Sequence, residues 1–599
     1  MKLFFKSVLQ QAAAQILAGV LLMGFVFLGF AIIIGKFAVT EIDIQKKSVL
    51  VLNLNANITD TPAQYGPQDL MLEAMQGGGN QSLHLYKILE NINAAAEDSK
   101  IRSLFLHGNL IAIEGGSGYA ALREIRDAIK KFKNTGKPVY AYTLTPNLRT
   151  YYLVSCADHL MMNPFGDITL NGLSSEVTFY HGAMEKFGIG VQPIRVGKYK
   201  SAIEPFTRKK FSEEGREQIQ ELLDDRWTSI INEISENRML EPHVLNKILE
   251  NSFHFKPAQA LKAGLIDKIS TRQQLVEQLV KIGVEDKESG SFRQIGLVEY
   301  GESQSIDKQM RSKKDKIAVV YVEGTIVEGE SFPGYTGSST IQRVLSKLKK
   351  REDVKAVILR VNSPGGSATA SEIMQQAIRA FQESGRPLVV SMGALAASGG
   401  YWISAPAQQI FAQPETITGS IGVFGLLLNM EGLGEKVGLT WDRVSSGQQI
   451  NPFTISRPKS DEELEFVQKM VDDIYDTFIS NVANHRNLEK QEVHEIAQGR
   501  VWSGSKALDI GLVDSLGGLG QAIETAGDLA GLDIYEIEHH PKEMTGIELL
   551  AEVLGKDLVK ARTRSLAETQ LSQIQHQIIN LRAWNDPRNA YVRLPFRLP

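Results

Sequence analysis

Short apolar runs alternate with amphipathic segments along most of the 599-residue chain. The runs VLVLNL from Val49, IAVVYV from Ile317 and VKAVILRVN from Val354 have the length and β-branched content of buried strands. The segment that follows the third run has a helical apolar face at i, i+3, i+4 and i+7, made by Met374, Ala377, Ile378 and Phe381. A Gly-Arg-Pro sequence ends this helix before the next run, PLVVSMG. This order predicts an α/β fold with right-handed crossovers and mainly parallel sheets.

The same pattern occurs twice. EIRDAIKKFKNTGKPVYAY at 124–142 is similar to IMQQAIRAFQESGRPLVVS at 373–391, an offset of 249 residues. At this offset seven positions are identical: Ala128/Ala377, Ile129/Ile378, Phe132/Phe381, Gly136/Gly385, Pro138/Pro387, Tyr152/Tyr401 and Ser155/Ser404. We therefore predict two tandem copies, 46–280 and 316–535. A charged, Gly- and Ser-rich linker at 281–315 joins them, and an amphipathic helical extension at 536–599 follows.

The amino-terminal region has a different composition. Residues 16–35, ILAGVLLMGFVFLGFAIIIG, carry no charge and no hydrogen-bonding side chain, and as a helix they would span the roughly 30 Å core of a bilayer. The alternative is a cleaved signal peptide, whose apolar region usually has only about 7–15 residues. We expect an uncleaved transmembrane anchor at 12–35. Lysines lie on both sides of it, so the positive-inside rule does not give its orientation.

Composition excludes several classes of function. The formal net charge is −4 and neither half is strongly basic, which argues against a nucleic-acid partner. The single cysteine, Cys156, excludes an intrachain disulfide framework and a cysteine-based zinc site, and we expect it in the core. We expect no cofactor and no bound metal.

The two copies differ where chemistry is expected. The second copy contains MGALAASGGYWIS with Ser398 at its centre, whereas the first copy has Arg149 at the equivalent position. The reverse holds further along: the first copy has Lys198 and Lys200 before its EPFT sequence, and the equivalent stretch at 446–451 has no lysine. Each copy has kept what resembles half of a site.

A serine and a lysine can form one active site. A serine hydroxyl needs a base to take its proton, and a lysine serves when burial keeps its amine uncharged. A carbonyl substrate also needs donors for its oxyanion. The loop NSPGG at 362–366 follows a predicted strand and opens a helix, so the N–H groups of Gly366 and Gly399 are our candidate donors.

Each of these features also has an ordinary structural explanation. A small-residue turn such as ASGG often reflects only close packing, SPGG suits an anion-binding helix start, and most lysines are solvated. A histidine is an alternative base, although five of them lie in charged or amphipathic stretches without a matching acid motif: His485, His494, His539, His540 and His576. The combination of the features, with complementary losses in the two copies, favours catalysis.

These motifs resemble those of a known family. ASGGYW around Ser398, TGSIGV at 418–423, NSPGG at 362–366, YKSAIEPFTR around Lys200 and the terminal NDPRNAY at 585–591 are similar to the long, duplicated form of the signal peptide peptidase A (protease IV) family of membrane-bound bacterial serine proteases. The resemblance covers nearly the whole chain and implies two repeats of the ClpP/crotonase type.

The resemblance also implies roles and surroundings. Ser398 would be the nucleophile, Lys200 the general base, Ser420 the serine that orients the lysine, and Gly366 with Gly399 the oxyanion hole. It further implies a homotetramer anchored in the inner membrane, with its catalytic region outside the cytoplasm and cleaved signal peptides as substrates.

Two other functions are compatible with the pattern. The crotonase fold also supports acyl-CoA chemistry, which uses a Gly-rich oxyanion loop and needs no serine nucleophile. A non-catalytic membrane scaffold built from two degenerate repeats would need neither Ser398 nor Lys200.

Overall fold

The computed structural model of the protein describes residues 44–62, 81–110, 118–309, 315–447, 450–542, 586, 588 and 590–593. Each copy forms one mainly parallel sheet, and six strands have the same order in both. The first sheet has the order Lys268–Ile269, His159–Met162, Val139–Thr143, Ile101–His107, Ser48–Asn53 and Gln294–Gly296. The second has the equivalent order Ser515–Leu516, Gln409–Ala412, Leu388–Ala397, Val354–Ser363, Lys316–Glu323 and Glu536–His540, and Ile417–Gly419 and Val501–Ser503 extend it. The α/β fold and the duplication are thus confirmed.

Helices cover both sheets. In the first copy they are Leu85–Glu97, Tyr119–Asn134, Leu148–Val154, His181–Phe187, Glu204–Thr207, Glu213–Arg238, Pro242–Asn251, Pro257–Lys262, Arg272–Ile282 and Leu297–Gln309. In the second they are Ser338–Lys349, Ala368–Gln382, Gly399–Ser404, Glu431–Val437, Asp461–Arg486, Lys490–Ile496, Gly504–Asp509 and Leu519–Leu529. Three two-stranded pairs complete the first copy: Ala56–Thr59 with Gln81–His84, Ile168–Thr169 with His254–Phe255, and Glu285–Asp286 with Ser291–Phe292.

The helix that the apolar pattern predicts after the third strand is present, and its apolar face is buried. The helix Ala368–Gln382 buries Met374, Ile378 and Phe381 against the second sheet, and these side chains are at most 1 % exposed. Cys156 is buried in the first core, as expected.

A third sheet contains strands of both copies, and we call it the shared sheet. Its order is Tyr335–Gly337, Thr325–Val327, Gly365–Ser367, Ala590–Arg593, Val423–Asn429 and Gly190–Val196. Gly190–Val196 is the only one of these strands from the first copy, and it runs antiparallel to Val423–Asn429 with Val196 opposite Val423. The two copies are therefore joined by main-chain pairing as well as by side chains.

The predicted linker at 281–315 is wrong for residues 285–309. They form the hairpin of Glu285–Asp286 with Ser291–Phe292, the edge strand Gln294–Gly296 of the first sheet, and the helix Leu297–Gln309. The composition misled the prediction because the hairpin and edge strand are short and mostly solvent-facing, so they carry the charges and glycines that a linker would.

The predicted carboxyl-terminal extension is wrong in the same way at two places. Glu536–His540 is an edge strand of the second sheet, and Ala590–Arg593 is a strand of the shared sheet. The helices predicted between them fall at 543–585, outside the described residues. The anchor predicted at 12–35 also lies outside them, and no helix within the described part of the chain is long and apolar enough to cross a membrane.

A buried network of ion pairs links the two copies. Arg360 of the second copy donates to Asp60 at 2.6 Å and to Glu124 at 2.7 Å, both from the first copy. All three residues are at most 5 % exposed. Burial raises the pKa of Glu124, and the Arg360 guanidinium opposes that rise. The arginine is thus the positive charge that makes burial of these acids tolerable.

Replacement of Arg360 should therefore destabilise the protein strongly. Arg360→Met leaves buried carboxylates without their cation, which costs on the order of 3–5 kcal/mol in the free energy of unfolding. The matched control is Arg351→Met, since Arg351 pairs with Asp353 and Glu538 but is about one-third exposed; exposed pairs contribute only about 0–1 kcal/mol. Urea unfolding measures both, and equal losses would contradict this account of the network.

Candidate active site

The serine lies on a strained turn between a strand and a helix. Ser398 is the single residue between the strand Leu388–Ala397 and the helix Gly399–Ser404. Ser398 has φ 57° and ψ −112°, a conformation that non-glycine residues rarely adopt. Two main-chain bonds hold it: its N–H donates to the Gly419 carbonyl at 2.7 Å, and its carbonyl accepts from the Trp402 N–H at 2.8 Å. Strain held in place by surrounding contacts is typical of functional positions.

The two glycines after Ser398 allow close contact with the SPGG loop. A Cβ on Gly399 would lie 2.6 Å from Ser371 Oγ and 3.1 Å from Gly365 Cα, and a Cβ on Gly400 would lie 2.9 Å from the Ser363 carbonyl oxygen. The ASGG turn is thus a close-packing turn and also the position of the candidate nucleophile.

Lys200 comes from the first copy and lies four residues after the strand Gly190–Val196. The pairing that sets Val196 opposite Val423 brings the next residues, including Lys200, towards Ser420. The Lys200 side chain lies in a slot walled by glycines of the second copy: a Cβ on Gly499 would lie 2.7 Å from Lys200 Cβ, and one on Gly422 would lie 3.3 Å from Lys200 Cδ.

Lys200 and Ser398 meet in the core. Lys200 Nζ lies 2.8 Å from Ser398 Oγ, 2.9 Å from the Ser420 carbonyl oxygen and 3.0 Å from Ser420 Oγ. The side chains of all three residues are fully buried. The three partners of Nζ are uncharged, and burial lowers the pKa of Lys200 well below 10.5. An uncharged amine has two N–H donors and one lone pair, so the two Ser420 oxygens can accept both donors and leave the lone pair for the Ser398 hydroxyl.

The oxyanion-loop candidates lie against this pair. A Cβ on Gly365, whose φ is +90°, would come within 2.6 Å of the Gly399 nitrogen, so the loop and the serine turn are in direct contact. Gly366 is the next residue, and in the shared sheet it pairs with Ile326 on one side and Val592 on the other. The structure therefore brings all five sequence-predicted site residues into one region.

The other candidate bases do not bond to the serine. Lys198 is exposed and lies over the Tyr199 ring. Four of the five histidines named above have other partners: His485 bonds to the Asn481 carbonyl, His494 to Tyr475 and Gln498, His539 to Tyr321, and His540 to Glu538. His576 lies outside the described residues.

Sequence reasoning missed the segment of the second copy that holds the lysine turn. The Gln498 carbonyl accepts from the Tyr199 N–H at 2.9 Å, and the Arg500 carbonyl accepts from the Ser420 N–H at 2.6 Å. The antiparallel strand pairings set Ile168 opposite Phe255 in the first copy and Ile417 opposite Ser503 in the second, so Gly499 corresponds to Asn251 in the first copy. The difference between Gly499 and Asn251 was the signal in the sequence for this segment. It becomes visible only when the two antiparallel strand pairs are aligned.

Comparisons with known proteins agree with the duplication. The model of peptidase family S49 matches residues 131–285 and 380–533, once in each copy. The chain is 33% identical to Protease 4 of Haemophilus influenzae over 96% of both chains, and 30% identical to the chloroplastic serine protease SPPA of Arabidopsis thaliana over 84% of this chain and 72% of the relative. It is also 36% identical to a putative signal peptide peptidase SppA of Enterococcus faecium, over 44% of this chain and 78% of that relative.

Proposed function

The chain belongs to peptidase family S49 and is a serine protease, and on that premise we propose that Ser398 is its nucleophile and Lys200 its general base. The observation that carries the proposal is the 2.8 Å distance between Lys200 Nζ and Ser398 Oγ in a fully buried site. The acyl-CoA and scaffold hypotheses are not retained, because the family is one of peptidases.

The proposed reaction proceeds through an acyl-enzyme. Uncharged Lys200 takes the Ser398 proton as Oγ attacks the peptide carbonyl, and the N–H groups of Gly366 and Gly399 stabilise the oxyanion. Collapse of this intermediate breaks the C–N bond, and the Lys200 ammonium returns the proton to the leaving amine. Lys200 then takes a proton from water as the water oxygen attacks the ester, and the Lys200 ammonium returns that proton to Ser398 Oγ as the ester C–O bond breaks. In this scheme Ser420 orients Nζ throughout.

The proposed substrates are apolar peptides, in particular the remnants of cleaved signal peptides. Three features support this class: the apolar run at 16–35, which we propose anchors the protein in the bacterial inner membrane; the resemblance to the signal peptide peptidase A family; and the name of the E. faecium relative. The proposal sets the catalytic region on the extracytoplasmic side, where such remnants arise.

Substitution of either dyad residue should remove activity. The assay is hydrolysis of a signal-peptide fragment, compared with the same peptide carrying serine and glutamine in place of its apolar core. Ser398→Ala should abolish cleavage, and Lys200→Ala should lower kcat by about 10⁴-fold or more, since a nucleophile and its base act as a unit. Lys198→Ala is the matched control and should cleave normally. Full activity of Lys200→Ala would refute the dyad, and equal cleavage of both peptides would refute the substrate class.

Activity should rise with pH through the titration of Lys200. The base works only when uncharged, and burial lowers its pKa well below 10.5. The protonated lysine therefore predominates at low pH, and kcat/KM should climb as pH passes the lowered pKa and then level off. A kcat/KM–pH profile measures this limb, and circular dichroism over the same range shows that the fold is unchanged. A limb centred at or above 10.5 would contradict the assignment.

We also propose a head-to-tail homo-oligomer, a tetramer by family resemblance. The pairing of Gly190–Val196 with Val423–Asn429 has a counterpart with the copies exchanged, and the two counterpart segments belong to no strand of the described residues. By repeat equivalence it lies within residues 171–180 in the first copy and 439–447 in the second. Residues 171–180 alternate between exposed and half-buried, as in an unpaired strand, and 439–447 are exposed. Pairing them between neighbouring chains would repeat the intrachain contact and generate a ring. These junctions would hold no dyad, since the positions equivalent to serine and lysine have lost both groups.

A disulfide tests this assembly. Val444 corresponds to Val196, and Ser174 corresponds to Val423, so the two should face each other across the junction at a distance that a disulfide can bridge. Ser174→Cys/Val444→Cys should oxidise to a ladder of covalent species that ends at four chains, while each single variant stays monomeric on denaturing gels. The native Cys156 is buried and does not interfere. A ladder that stops at two chains would contradict the head-to-tail arrangement.

A further inference from the structure

One carboxylate near the end of the chain contacts the loop that carries Gly366. Asp586, in the NDPRNAY sequence, is 3 % exposed. Its Oδ2 accepts from Ser367 Oγ at 2.6 Å and from the Thr369 N–H at 2.9 Å. Its Oδ1 accepts from the N–H groups of Arg588 at 2.8 Å and Ala590 at 3.2 Å. Both oxygens are thus saturated, one on the loop side and one on the side of the strand Ala590–Arg593.

These bonds continue to the serine turn. Ser367 Oγ also accepts from the Ala370 N–H at 3.0 Å, which caps the helix Ala368–Gln382, and the Ser367 carbonyl accepts from Ser371 Oγ at 2.8 Å. Ser371 Oγ is the atom nearest to where a Cβ of Gly399 would lie, at 2.6 Å. Two hydrogen bonds, Asp586 to Ser367 and Ser367 to Ser371, and the close contact of Ser371 with Gly399 therefore connect Asp586 to the turn that carries Ser398.

The loop is also fixed at its other end. Ser363 Oγ accepts from the Gly365 N–H at 3.1 Å and donates to the Gly324 carbonyl at 2.6 Å. Gly365 and Gly366 lie between this anchor and the one at Ser367. Glycines restrict the main chain less than other residues, so the anchors on both sides must supply the rigidity that oxyanion donors need.

We propose that Asp586 is a positioning residue for catalysis: its carboxylate holds Ser367 so that the Gly366 N–H keeps its place beside Gly399. This inference rests on the proposed function, because it concerns the oxyanion hole of the Ser398 reaction. Asp586 acts through the loop and does not touch the reacting atoms. The strand Ala590–Arg593, antiparallel to Gly365–Ser367, holds the carboxylate in place.

The variant Asp586→Asn isolates the loop contacts. An asparagine that keeps its oxygen towards Arg588 and Ala590 turns its NH₂ group towards the Thr369 N–H, where two donors face each other. Loss of one oxyanion donor typically costs about 10²–10³ in kcat, so a displaced donor should lower kcat at least about 10-fold. KM should change less than about twofold. The midpoint of the pH profile should stay unchanged, since the partners of Lys200 are untouched.

The matched control is Asp225→Asn. Asp225 Oδ2 accepts from Ser503 Oγ at 2.6 Å, and Ser503 caps the helix Gly504–Asp509, so this pair reproduces the chemistry of Asp586 with Ser367 away from the SPGG loop. Both variants should lower the melting temperature, and only Asp586→Asn should lower kcat and slow the labelling of Ser398 by a fluorophosphonate.

A second variant keeps the test decisive if Asp586→Asn folds poorly. Ser367→Ala removes the hydroxyl that Asp586 holds, and its effect on kcat should not multiply with that of Asp586→Asn in the double variant. Four results would each overturn the inference: an unchanged kcat in Asp586→Asn, an equal loss of kcat in Asp225→Asn, effects of Asp586→Asn and Ser367→Ala that multiply in the double variant, or a gain in activity. A gain would mean that the segment containing Asp586 obstructs the site. An inactive wild-type protein would instead refute the proposed function.

Discussion

The antiparallel pairing of Gly190–Val196 with Val423–Asn429 is the contact on which the rest of the site depends. These strands belong to different copies, and their register carries the lysine of one copy to the serine of the other. Main-chain pairing is well suited to this task because a shift by one residue would turn every side chain to the opposite face. The chemistry of Lys200 then follows from its surroundings, since full burial lowers the pKa of its amine well below 10.5.

The duplication explains how such a site could be built. Two copies of one sheet topology present two equivalent sets of positions, and only one set needs to keep each group. The second copy retains the strained turn at Ser398, where the first has Arg149, and the first copy retains Lys200. Each copy can then be adapted separately: the second contributes glycines that wall the lysine, and the first contributes acids that surround Arg360. The ion network and the shared sheet hold the halves together, and neither half has both groups of the dyad.

Much of this arrangement could be read from the sequence, and the failures have physical causes. The copies, the α/β class and the juxtaposition of Ser398 with Lys200 were predictable, because buried strands and complementary losses leave patterns in the sequence. The strand Gln294–Gly296 was missed because a short edge strand does not need a continuous apolar run. The contacts of Gly499 and Asp586 with the site were missed for a different reason. Their roles depend on which distant segment they approach, and no local spacing encodes the 2.7 Å approach of a Gly499 Cβ to Lys200 or the bond from Ser367 to Asp586.

The place of the strand Ala590–Arg593 in the shared sheet has a consequence for biosynthesis. A ribosome delivers Lys200 first, Ser398 about two hundred residues later, and the strand beside the SPGG loop almost two hundred residues after that. At translation rates of about 5–20 residues per second, roughly 20 to 80 s separate the lysine from this last strand. Throughout that interval the nascent chain has Lys200, and later Ser398, but lacks the strand Ala590–Arg593 of the shared sheet. The shared sheet is therefore incomplete until the strand Ala590–Arg593 has been synthesised, long after Lys200 and Ser398.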